Sequence, residues 1–439
     1  MPGRSVKRNY YIETYGCALA QFESIAMSEL LDRAGFASVS SPEEADIIIV
    51  NTCAVRLDTE QRIVERLEKL RKQLPGKKYI IAGCLAKTRP GLIKRVVPDA
   101  SLLAPQAVDR VVYAANTVEP VILLDVERKM DWFPTRLVDK RRGLVATIMV
   151  QEGCLNNCSY CITKLSRMGP RSFKPRVIVE AVKRAVEGGA VEIRLTGTDI
   201  AAYGVDLPGR PNLADLVTMI LEKVEGDYRI RIGMMTPEQA IELGKDLIEA
   251  YRDDRIYKFF HIPVQTGDDN LLRIMGRKYT VRDFKELHRL IKRNYPESLF
   301  ATDIIVGHPG EDEEAFNNTV KLVKELRFER VHLAQYSLRP HTRAASMKQV
   351  SDGVKKKRSK ILSKVIEEIT LEIHRSYVGK RVTGLLVERG FRENSIVARL
   401  DNYFPVVIND GMNLLGKWAI VEIEDSTFFD LRGKIISII

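Results

Sequence analysis

The sequence predicts an α/β protein in three parts: an N-terminal α/β domain on a parallel sheet, a central partial (βα)6 barrel and a small C-terminal antiparallel β-barrel. Three observations predict this. Strand-like and helical segments alternate in the N-terminal part, six further strand–helix units follow from Leu144, and short strands separated by turn residues follow from Gly379. With 439 residues, the chain is long enough for two or three domains.

The N-terminal part, predicted as domain 1–140 with its linker, has the pattern of a small parallel sheet. Its short strand-like segments, apolar or rich in β-branched residues, are separated by stretches with helical periodicity. Strands are predicted at 10–15, 46–52 and 78–83, and helices at 24–34 and 57–73. The linker from Ala104 to Gly143 contains several prolines and ends near the basic sequence 140–142, so its end is predicted as a domain junction.

The central part, predicted as domain 141–376, repeats a strand followed by a helix. Six such units are fewer than the eight of a closed barrel, so we expect a partial barrel that is open on one side. Strands are predicted at 144–150, 191–196, 228–233, 257–263, 299–306 and 330–336. A basic helix at about 353–376 ends this domain.

Two charged segments of the central part have ordinary structural interpretations. The acidic run at 311–314 is predicted to begin a helix, where carboxylates stabilise the helix dipole. The basic run from Lys355 to Lys364 is predicted as a solvated helix face, with contact to nucleic-acid phosphates as the alternative.

The C-terminal part, predicted as domain 377–439, has about five short strands, a pattern that fits a small barrel of the oligonucleotide-binding kind. It holds equal numbers of basic and acidic residues, so a nucleic-acid role cannot rest on its net charge. Strands are predicted at 381–388, 395–400, 404–408, 418–424 and 432–438.

The composition restricts the partners and the compartment. A formal net charge of +11 favours a polyanionic partner without identifying one. No run approaches the roughly 20 apolar residues of a membrane span, and no apolar stretch follows the charged N-terminus, so we expect a cytoplasmic protein with no membrane partner. In a reducing compartment the six cysteines are more plausible as ligands or reactive thiols than as disulfides.

Cys154, Cys158 and Cys161 form a Cys-x3-Cys-x2-Cys motif directly after the first predicted barrel strand. Barrel enzymes carry their chemistry in such loops. Three thiolates at this spacing can hold three irons of a 4Fe-4S cluster and leave the fourth iron open. A zinc site with a fourth ligand from elsewhere, a structural cluster and free thiols are the alternatives.

Cys17, Cys53 and Cys84 are distant in the sequence but each follows a predicted strand. Cys53 comes 36 residues after Cys17, and Cys84 comes 31 residues after Cys53, each close to the ~30 residues of one βα unit. Parallel strands bring such residues to one carboxyl edge of the sheet. This pattern favours a second three-cysteine cluster, and three buried structural cysteines are the alternative.

On these motifs the sequence resembles the methylthiotransferase family of radical S-adenosylmethionine enzymes, in particular its archaeal and eukaryotic threonylcarbamoyladenosine branch. The resemblance covers essentially the whole chain, with a cluster domain, a radical barrel and a C-terminal TRAM barrel. Ala20, Phe22, His341 and Arg343 depart from the family pattern. The supporting segments lie at 13–17, 51–56, 82–84, 261–267, 275–279 and 302–311.

The resemblance implies two 4Fe-4S clusters and S-adenosylmethionine as cofactors. It places the radical cluster on the 154–161 motif and a sulfur-carrying cluster on the N-terminal cysteines, so that all six are catalytic metal ligands. Tyr160 is implied to pack beside the adenine of the cofactor. The other implied cofactor-binding residues are Thr196, Gly197, Asp199, Tyr203, Gln265, Arg277, Asp303 and Val306.

The resemblance also implies a reaction: 2-methylthiolation of N6-threonylcarbamoyladenosine in the anticodon loop of a tRNA. The implied partners are this tRNA and an electron donor, either a reductase or a ferredoxin or flavodoxin. Isopentenyladenosine in tRNA and an aspartate of a ribosomal protein are alternative substrates. A cluster-bearing RNA-binding or redox-sensing module without turnover is the alternative of another class, and the oligomeric state is not indicated.

Overall fold

The computed structural model describes residues 8–138 and 143–439. The extreme N-terminus and the basic sequence 140–142 lie outside the described residues. The three predicted parts are confirmed: a parallel N-terminal sheet, a central strand–helix domain and a closed C-terminal barrel. The boundaries at 140/141 and 376/377 stay predictions.

The N-terminal sheet has six parallel strands in the order β2-β1-β3-β4-β5-β6. The central strand β3 is buried on both faces because its residues alternate between two apolar cores. The strands are β1 (Asn9–Thr14), β2 (Ala37–Ser38), β3 (Ile47–Thr52), β4 (Lys78–Gly83), β5 (Ser101–Leu103) and β6 (Ile122–Leu123). The helices are α1 (Ala18–Arg33), α2 (Leu57–Gln73), α3 (Cys84–Thr88), α4 (Pro90–Val96) and α5 (Val111–Asn116).

The linker predicted from Ala104 is in large part folded, which corrects the sequence-based expectation. A 3-10 helix (Pro105–Arg110), α5 and β6 continue the N-terminal domain. Farther along, the Phe133 ring packs between Phe22 of α1 and Phe173 of the central domain, at centroid distances of 4.9 and 5.0 Å. The prolines therefore mark bends in a packed connection, which fastens the two domains together.

The central domain is an open barrel of six principal parallel strands. Two three-stranded sheets, β7-β10-β11 and β12-β13-β14, are joined by isolated parallel bridges such as Met234 to His261. The strands are β7 (Val145–Met149), the short pair β8 (Gln151–Glu152) and β9 (Arg171–Ser172), β10 (Glu192–Thr196), β11 (Arg229–Ile232), β12 (Phe259–His261), β13 (Leu299–Val306) and β14 (Arg330–Gln335). The helices are α6 (Thr163–Ser166), α7 (Pro175–Glu187), α8 (Leu213–Lys223), α9 (Pro237–Leu243), α10 (Lys245–Ala250), α11 (Asp269–Met275), α12 (Val281–Asn294), α13 (Glu313–Leu326) and α14 (Asp352–Arg375).

The basic run on α14 is only partly solvated. Lys356, Lys357 and Lys360 are exposed as predicted, but Lys355 and Arg358 are buried. Arg358 lies 2.7 Å from a carboxylate oxygen of Glu311, which begins the acidic run. The rest of that run behaves as predicted, because Asp312 caps α13 and the next two glutamates lie in its first turn.

The C-terminal barrel closes in the order β15-β16-β17-β19-β18. All neighbouring strands are antiparallel except β17 and β19, which pair in parallel. The strands are β15 (Arg381–Arg389), β16 (Ser395–Leu400), β17 (Pro405–Asn409), β18 (Trp418–Ser426) and β19 (Leu431–Ile438). The barrel is fastened to the central domain, where the Tyr403 hydroxyl donates to Glu192 at 2.8 Å. Within the described ranges, no helix has both the length and the apolar character needed to cross a membrane.

A candidate active site between the N-terminal sheet and the central barrel

The first cysteine trio lies at the carboxyl edge of the N-terminal sheet, as predicted. Cys17 precedes α1, Cys53 follows β3, and Cys84 is the first residue of α3. Because β3 is hydrogen bonded to β1 on one side and to β4 on the other, the three loops are neighbours. Burial is the main reason that the pKa of the Cys53 thiol is raised, and the negative charges of Cys84 and Cys17, when these are ionised, add to the shift, so the three thiols lie near one another.

Two glycines allow these loops to approach each other. Gly83, directly before Cys84, has a φ of +95°, and a Cβ there would lie 2.5 Å from the carbonyl oxygen of Thr52. Gly16, directly before Cys17, has a φ of +136°, and its Cβ would lie 3.2 Å from that of Cys53. Side chains at these positions would separate the cysteines, so the glycines hold the trio together.

Arg167 is a buried cation of the central domain whose charge acts on the N-terminal cysteine trio. Burial raises the pKa of Cys53 to about 11 and also raises that of Cys84, and the positive charge of Arg167 opposes both shifts. Arg167 follows α6, close behind the barrel cysteines. The loop that carries the second trio therefore supplies positive charge to the first.

Arg167 belongs to a buried ionic network that joins both domains and the linker. Its guanidinium lies 2.7 Å from Glu23 of α1 and 2.9 Å from Glu152 of β8. Arg128 of the linker contacts the same two glutamates at 2.6 and 3.0 Å. Two arginines and two glutamates balance in charge, and their ion pairs connect the two cysteine-bearing regions.

The second trio lies in the loop after β7 and β8, as predicted. The Cys161 amide donates to the Cys158 carbonyl at 3.2 Å, and Lys164 donates to the Cys154 carbonyl at 2.9 Å. Burial raises the pKa of Cys154 to about 12, and the nearby Asp199 carboxylate adds to this shift. Burial also raises the pKa of Cys161. These buried thiols become thiolates most readily through a metal, because metal ligation deprotonates them.

Arg277 places a second buried cation beside this trio. Its Nη1 lies 3.1 Å from the Cys158 sulfur, and its Nη2 donates to Glu238 at 3.0 Å. The aromatic ring of Tyr279 lies 5.3 Å below the guanidinium. Arg277 is thus held on two sides and presents its charge to the sulfur of Cys158.

The residues present fit two iron–sulfur clusters better than two single metal ions. All six cysteines are free thiols. Sulfur ligands of one tetrahedral zinc ion lie roughly 3.8 Å apart, from a zinc–sulfur bond of about 2.3 Å. Among the described residues, neither cysteine trio forms a group whose ligand atoms all lie within 4.8 Å of one another. A larger polynuclear group is consistent with this wider spacing.

A cavity of about 410 Å³ opens between the two cysteine-bearing regions. Val55 and Arg56, which follow Cys53, line one side, and Tyr160 and Cys161 line another. This volume lies in the range of pockets that hold small molecules. The rest of the lining comes from Ile162, Thr163, His261, Gln265, Asp303, Ile304, Ile305, His332, Ala334, Gln335, Tyr336, Ser337 and Arg339.

Gln265 combines a strained backbone with an unpartnered side-chain oxygen at the cavity wall. Its φ is +69°, a left-handed value that is unfavourable for a residue with a Cβ. Backbone hydrogen bonds to Asp303 at 2.8 Å and from Ile305 at 3.0 Å hold it there. The buried Oε1 has no hydrogen-bond partner within the described structure. Strain together with an unpartnered acceptor is typical of a ligand-binding position.

His261, Asp303 and His332 project from three adjacent strands into the cavity, with ligand atoms all within 4.8 Å of one another. His261 Nε2 lies 2.9 Å from Asp303 Oδ1, so the two are hydrogen bonded. His332 is exposed at the cavity surface, but the protein around its ring displaces enough solvent to lower its pKa; Asp303 opposes this shift and Arg56 adds to it. The group offers hydrogen-bond donors and acceptors to a bound molecule, and its ligand types are those of divalent transition metals.

Tyr160, predicted to pack beside the adenine of a cofactor, lines this cavity. Its ring meets that of His308 edge to face at 5.9 Å. Burial, with the Cys158 charge, raises the pKa of its phenol, which therefore remains neutral. A neutral, partly fixed aromatic ring is suited to stacking against a base.

Asp199 is placed near the barrel cysteines but is fully buried. Its carboxylate accepts hydrogen bonds from the Thr236 amide at 2.9 Å and hydroxyl at 2.6 Å. Burial raises its pKa to about 6, although the bonds from Thr236 oppose the shift. In this structure Asp199 therefore holds the start of α9, and its role toward a cofactor stays a prediction.

Four other predicted cofactor-binding residues are not among those that line the cavity. The Tyr203 hydroxyl donates to the Phe173 carbonyl at 2.8 Å, so this side chain is part of the core. Val306 and Thr196 are buried at strand ends, and a Cβ at Gly197 would lie 2.9 Å from Gln151. Their proposed roles also stay predictions.

Several site residues were not identified from the sequence. Arg167, Glu238, His332 and Arg339 come from four separate segments, and only the fold brings them to the cysteines or the cavity. No local motif marks a side chain whose partners lie far away in the sequence. Arg339 lies just before His341 and Arg343, which depart from the family pattern, yet nothing in that segment indicates that Arg339 is buried.

Three family models match the chain in the order of its domains. They are the Uncharacterized protein family UPF0004 at residues 9–104, the Radical SAM superfamily at 148–323 and the TRAM domain at 375–436. These matches agree with the cysteine-bearing sheet, the open barrel and the closed C-terminal barrel.

Full-length relatives carry names that describe tRNA modification. A Pyrococcus horikoshii protein called probable threonylcarbamoyladenosine tRNA methylthiotransferase is 38% identical over 97% of this chain and 99% of its own length. The Homo sapiens threonylcarbamoyladenosine tRNA methylthiotransferase is 32% identical, over 97% of this chain and 74% of its own length. A Herpetosiphon aurantiacus tRNA-2-methylthio-N(6)-dimethylallyladenosine synthase is also 32% identical, over 87% of both chains.

Among solved structures, a radical S-adenosylmethionine methyltransferase from Kitasatospora setae with cobalamin and a [4Fe-4S] cluster bound has a similar fold. Its TM-score is 0.56 at 14% identity, over 77% of each chain. At this identity the likeness concerns the fold alone.

Proposed function

The chain belongs to the methylthiotransferase family of radical S-adenosylmethionine enzymes, and we propose that it converts N6-threonylcarbamoyladenosine of a tRNA into its 2-methylthio derivative. The observation that carries the proposal is the cavity between the two cysteine trios, with Arg56 from one side and Cys161 from the other in its wall. A nucleobase held there can be reached from both cysteine-bearing regions.

The proposed cofactors are two 4Fe-4S clusters, one on each trio, and S-adenosylmethionine. When bound, they supply a radical and a methylthio group, which an unactivated C–H bond such as that at carbon 2 of adenine requires. The support from this chain lies in its donor sets: two groups of three cysteines, each beside a buried arginine, Arg167 for the first and Arg277 for the second.

The residues of the chain have binding and positioning roles in this proposal. Tyr160 stacks against an adenine, and Gln265 offers an unpartnered acceptor oxygen. Asp303, held by His261, offers a second acceptor at the cavity wall. The cavity is open on one side, so a bound nucleobase would itself have to exclude bulk water there and so protect a reactive species from side reactions.

The proposed macromolecular partner is the anticodon loop of a tRNA. A base in such a loop can be unstacked at low cost and inserted into a pocket. The exposed lysines of α14 and the small C-terminal barrel are candidates for phosphate contacts, which would make binding weaken as salt rises. An external electron donor, a reductase or a ferredoxin or flavodoxin, completes the proposal.

Isopentenyladenosine in tRNA is a second candidate substrate, since a relative of 32% identity is named for the corresponding dimethylallyl nucleoside. An aspartate of a ribosomal protein is a third. Unpartnered polar atoms in the cavity wall favour the threonylcarbamoyl group, because an apolar substituent would leave the buried polar atoms of Gln265 and Arg339 without partners.

Nucleoside analysis tests the substrate. Total tRNA from a strain lacking the gene is digested and compared by liquid chromatography and mass spectrometry with tRNA from the parent strain and a complemented strain. We expect the methylthio derivative of threonylcarbamoyladenosine to disappear and return on complementation, while methylthio-isopentenyladenosine does not change. Persistence of the threonylcarbamoyl derivative in the deletion strain would refute this assignment.

Turnover tests the enzyme class. The anaerobically reconstituted and reduced protein should cleave S-adenosylmethionine to 5′-deoxyadenosine, and the Cys158→Ala variant should not. A Cys17→Ala variant is the matched control, because it should keep this cleavage and lose methylthio transfer. No 5′-deoxyadenosine from the parent protein would favour a binding or redox-sensing module without turnover.

A further inference from the structure

Arg339 is a buried arginine at the wall of the cavity with two unused donors. The residue follows β14, and its side chain is 2% exposed. Its Nη2 is hydrogen bonded to Glu60, whereas Nε and Nη1 have no partner within the described structure. Unpaired buried donors on a cation are costly unless a ligand satisfies them.

The charges around Arg339 do not balance. Glu60 of α2 accepts from Arg339 and also lies 3.3 Å from Arg89, so two guanidinium groups share one carboxylate. Arg56, which lines the same cavity, adds a third positive charge, and the Asp303 carboxylate in the same wall adds a second negative one, so one positive charge remains unbalanced. The network of Arg128, Arg167, Glu23 and Glu152 near the cysteines is neutral by contrast. The excess positive charge therefore lies at the part of the cavity wall that contains Arg339 and Arg56.

We propose that Arg339, supported by Arg56, forms an anion subsite that binds a carboxylate or phosphate of the substrate nucleotide. A guanidinium group presents parallel donors that match either anion, and such charge-assisted bonds are among the stronger ones in proteins. The identity of the nucleotide rests on the proposed function, whereas the subsite rests on the unused donors and the unbalanced charge.

The two anions differ in where they lie on the substrate. The carboxylate belongs to the threonyl group of the modified base, and the phosphate belongs to the RNA backbone beside it. Glu60 occupies only Nη2, so Nε and Nη1 are free for the anion in either case. Arg56 follows Cys53 and lies at the exposed side of the cavity, where it can add charge.

Binding measurements on the reconstituted holoenzyme test the subsite. Dissociation constants are measured by fluorescence anisotropy at fixed ionic strength for three anticodon stem-loop RNAs. One carries threonylcarbamoyladenosine, one carries the methyl ester of this group, and one carries unmodified adenosine. We expect Arg339→Gln to weaken binding of the first RNA by about tenfold to a hundredfold, since it removes a charge-assisted contact.

The pattern over the three RNAs identifies the anion. A loss confined to the threonylcarbamoyl RNA assigns the carboxylate, and an equal loss for all three assigns a phosphate. Glu60→Gln is the matched control, since it alters the same ion pair but leaves the cation, and it should retain most of the affinity. Arg56→Gln, at an exposed position, should give a smaller loss of several-fold.

Unchanged binding of all three RNAs by a folded Arg339→Gln protein overturns the proposal, as does an equal loss in Glu60→Gln. If Arg339→Gln does not fold, Arg339→Lys replaces it, because lysine keeps a charge beside Glu60 but lacks the planar fork. Its binding should still fall by at least several-fold, and parental affinity would overturn the subsite. Absence of methylthio transfer by the parent protein would count against the proposed function instead, without altering the binding result.

Discussion

Arg277 joins the sulfur of Cys158 to the carboxylate of Glu238, with Nη1 3.1 Å from the sulfur and Nη2 3.0 Å from an oxygen. The pair is buried, so its charge is poorly screened by solvent. In the proposed enzyme this sulfur is a ligand of the radical cluster. A fixed cation at that distance stabilises the more negative, reduced state of the cluster.

Replacing Arg277 by glutamine should therefore lower the reduction potential of the radical cluster. Losing a charge-assisted hydrogen bond of roughly 1.5–3 kcal/mol corresponds to at most about 60–130 mV for one electron. Redox titration followed by electron paramagnetic resonance measures this shift. Glu238→Gln is the control, because it keeps the cation and should change the potential less. An unchanged potential in Arg277→Gln would contradict the electrostatic role.

Iron and sulfide analysis should reveal two separable clusters. After anaerobic reconstitution we expect about eight iron and eight sulfide per chain, and about four of each when either trio is replaced by alanine. The trios are held by different loops, Cys17, Cys53 and Cys84 by the sheet edge and the others by the barrel loop, so each should fill independently. A parent protein with only about four irons would contradict the two-cluster proposal.

The buried network around Arg167 should contribute strongly to stability. Arg167→Ala leaves Glu23 and Glu152 with Arg128 alone, and an uncompensated buried charge costs about 3–5 kcal/mol. Urea unfolding of the cluster-free protein should show this loss. Arg282→Ala is the control, because Arg282 pairs with Glu286 on the surface and should cost less than about 1 kcal/mol. Similar losses in both variants would argue against the network as the tie between domains.

Most of the fold was predictable because its signals are local. The strands that carry Cys17, Cys53 and Cys84 are short apolar segments spaced by one βα unit, and the structure has them within about a residue of the prediction. The structure of the linker was harder to predict, because Phe133 is ordered there by contact with Phe22 and Phe173, which are distant in the sequence. A single aromatic residue in a proline-containing stretch does not reveal its partners.

The candidate site was predictable where ligand spacing carries information and not elsewhere. The cysteines could be recognised as ligands because each trio follows predicted strands. Lys355 and Arg358 were expected in solvent, because a run of basic residues gives no sign of which members face the core. Arg358 is buried because Glu311, nearly fifty positions earlier, lies opposite it. Such long-range charge pairing depends on the packing of α14 against α13, which the sequence pattern does not contain.

Acid should destabilise the protein partly through His288. Burial lowers the pKa of His288 to about 4, against 6.5 for an exposed histidine. The unfolded chain therefore binds the proton more readily, so stability is full above pH 6.5 and falls as the pH drops toward 4. At pH 5 this group alone should cost about 2 kcal/mol relative to pH 7.5.

The control for this prediction is His288→Phe, which fits among the rings of Phe300 and Phe328. The variant should show a smaller loss of unfolding free energy between pH 7.5 and pH 5, measured by urea titration at both values. An identical pH dependence in the parent and the variant would show that His288 does not take part. Other buried histidines, such as His308, should account for the pH dependence of stability that remains in the variant.

Two variants of Gln265 should distinguish the effect of backbone strain on stability from the effect of the side chain on ligand binding. Its φ of +69° suits glycine, so Gln265→Gly should be about 1 kcal/mol more stable than Gln265→Ala, in which the strain persists. Both variants lose the unpartnered Oε1, so both should bind S-adenosylmethionine about three- to tenfold more weakly, as expected for one hydrogen bond. Urea midpoints measure the first effect, and equilibrium dialysis of the reconstituted proteins measures the second. Equal stability of the two variants would contradict the strain, whereas parental affinity in both would show that the amide does not contact the cofactor. Because the two readouts respond to different atoms of the same residue, a merely structural role would change the midpoints and leave the dialysis unchanged.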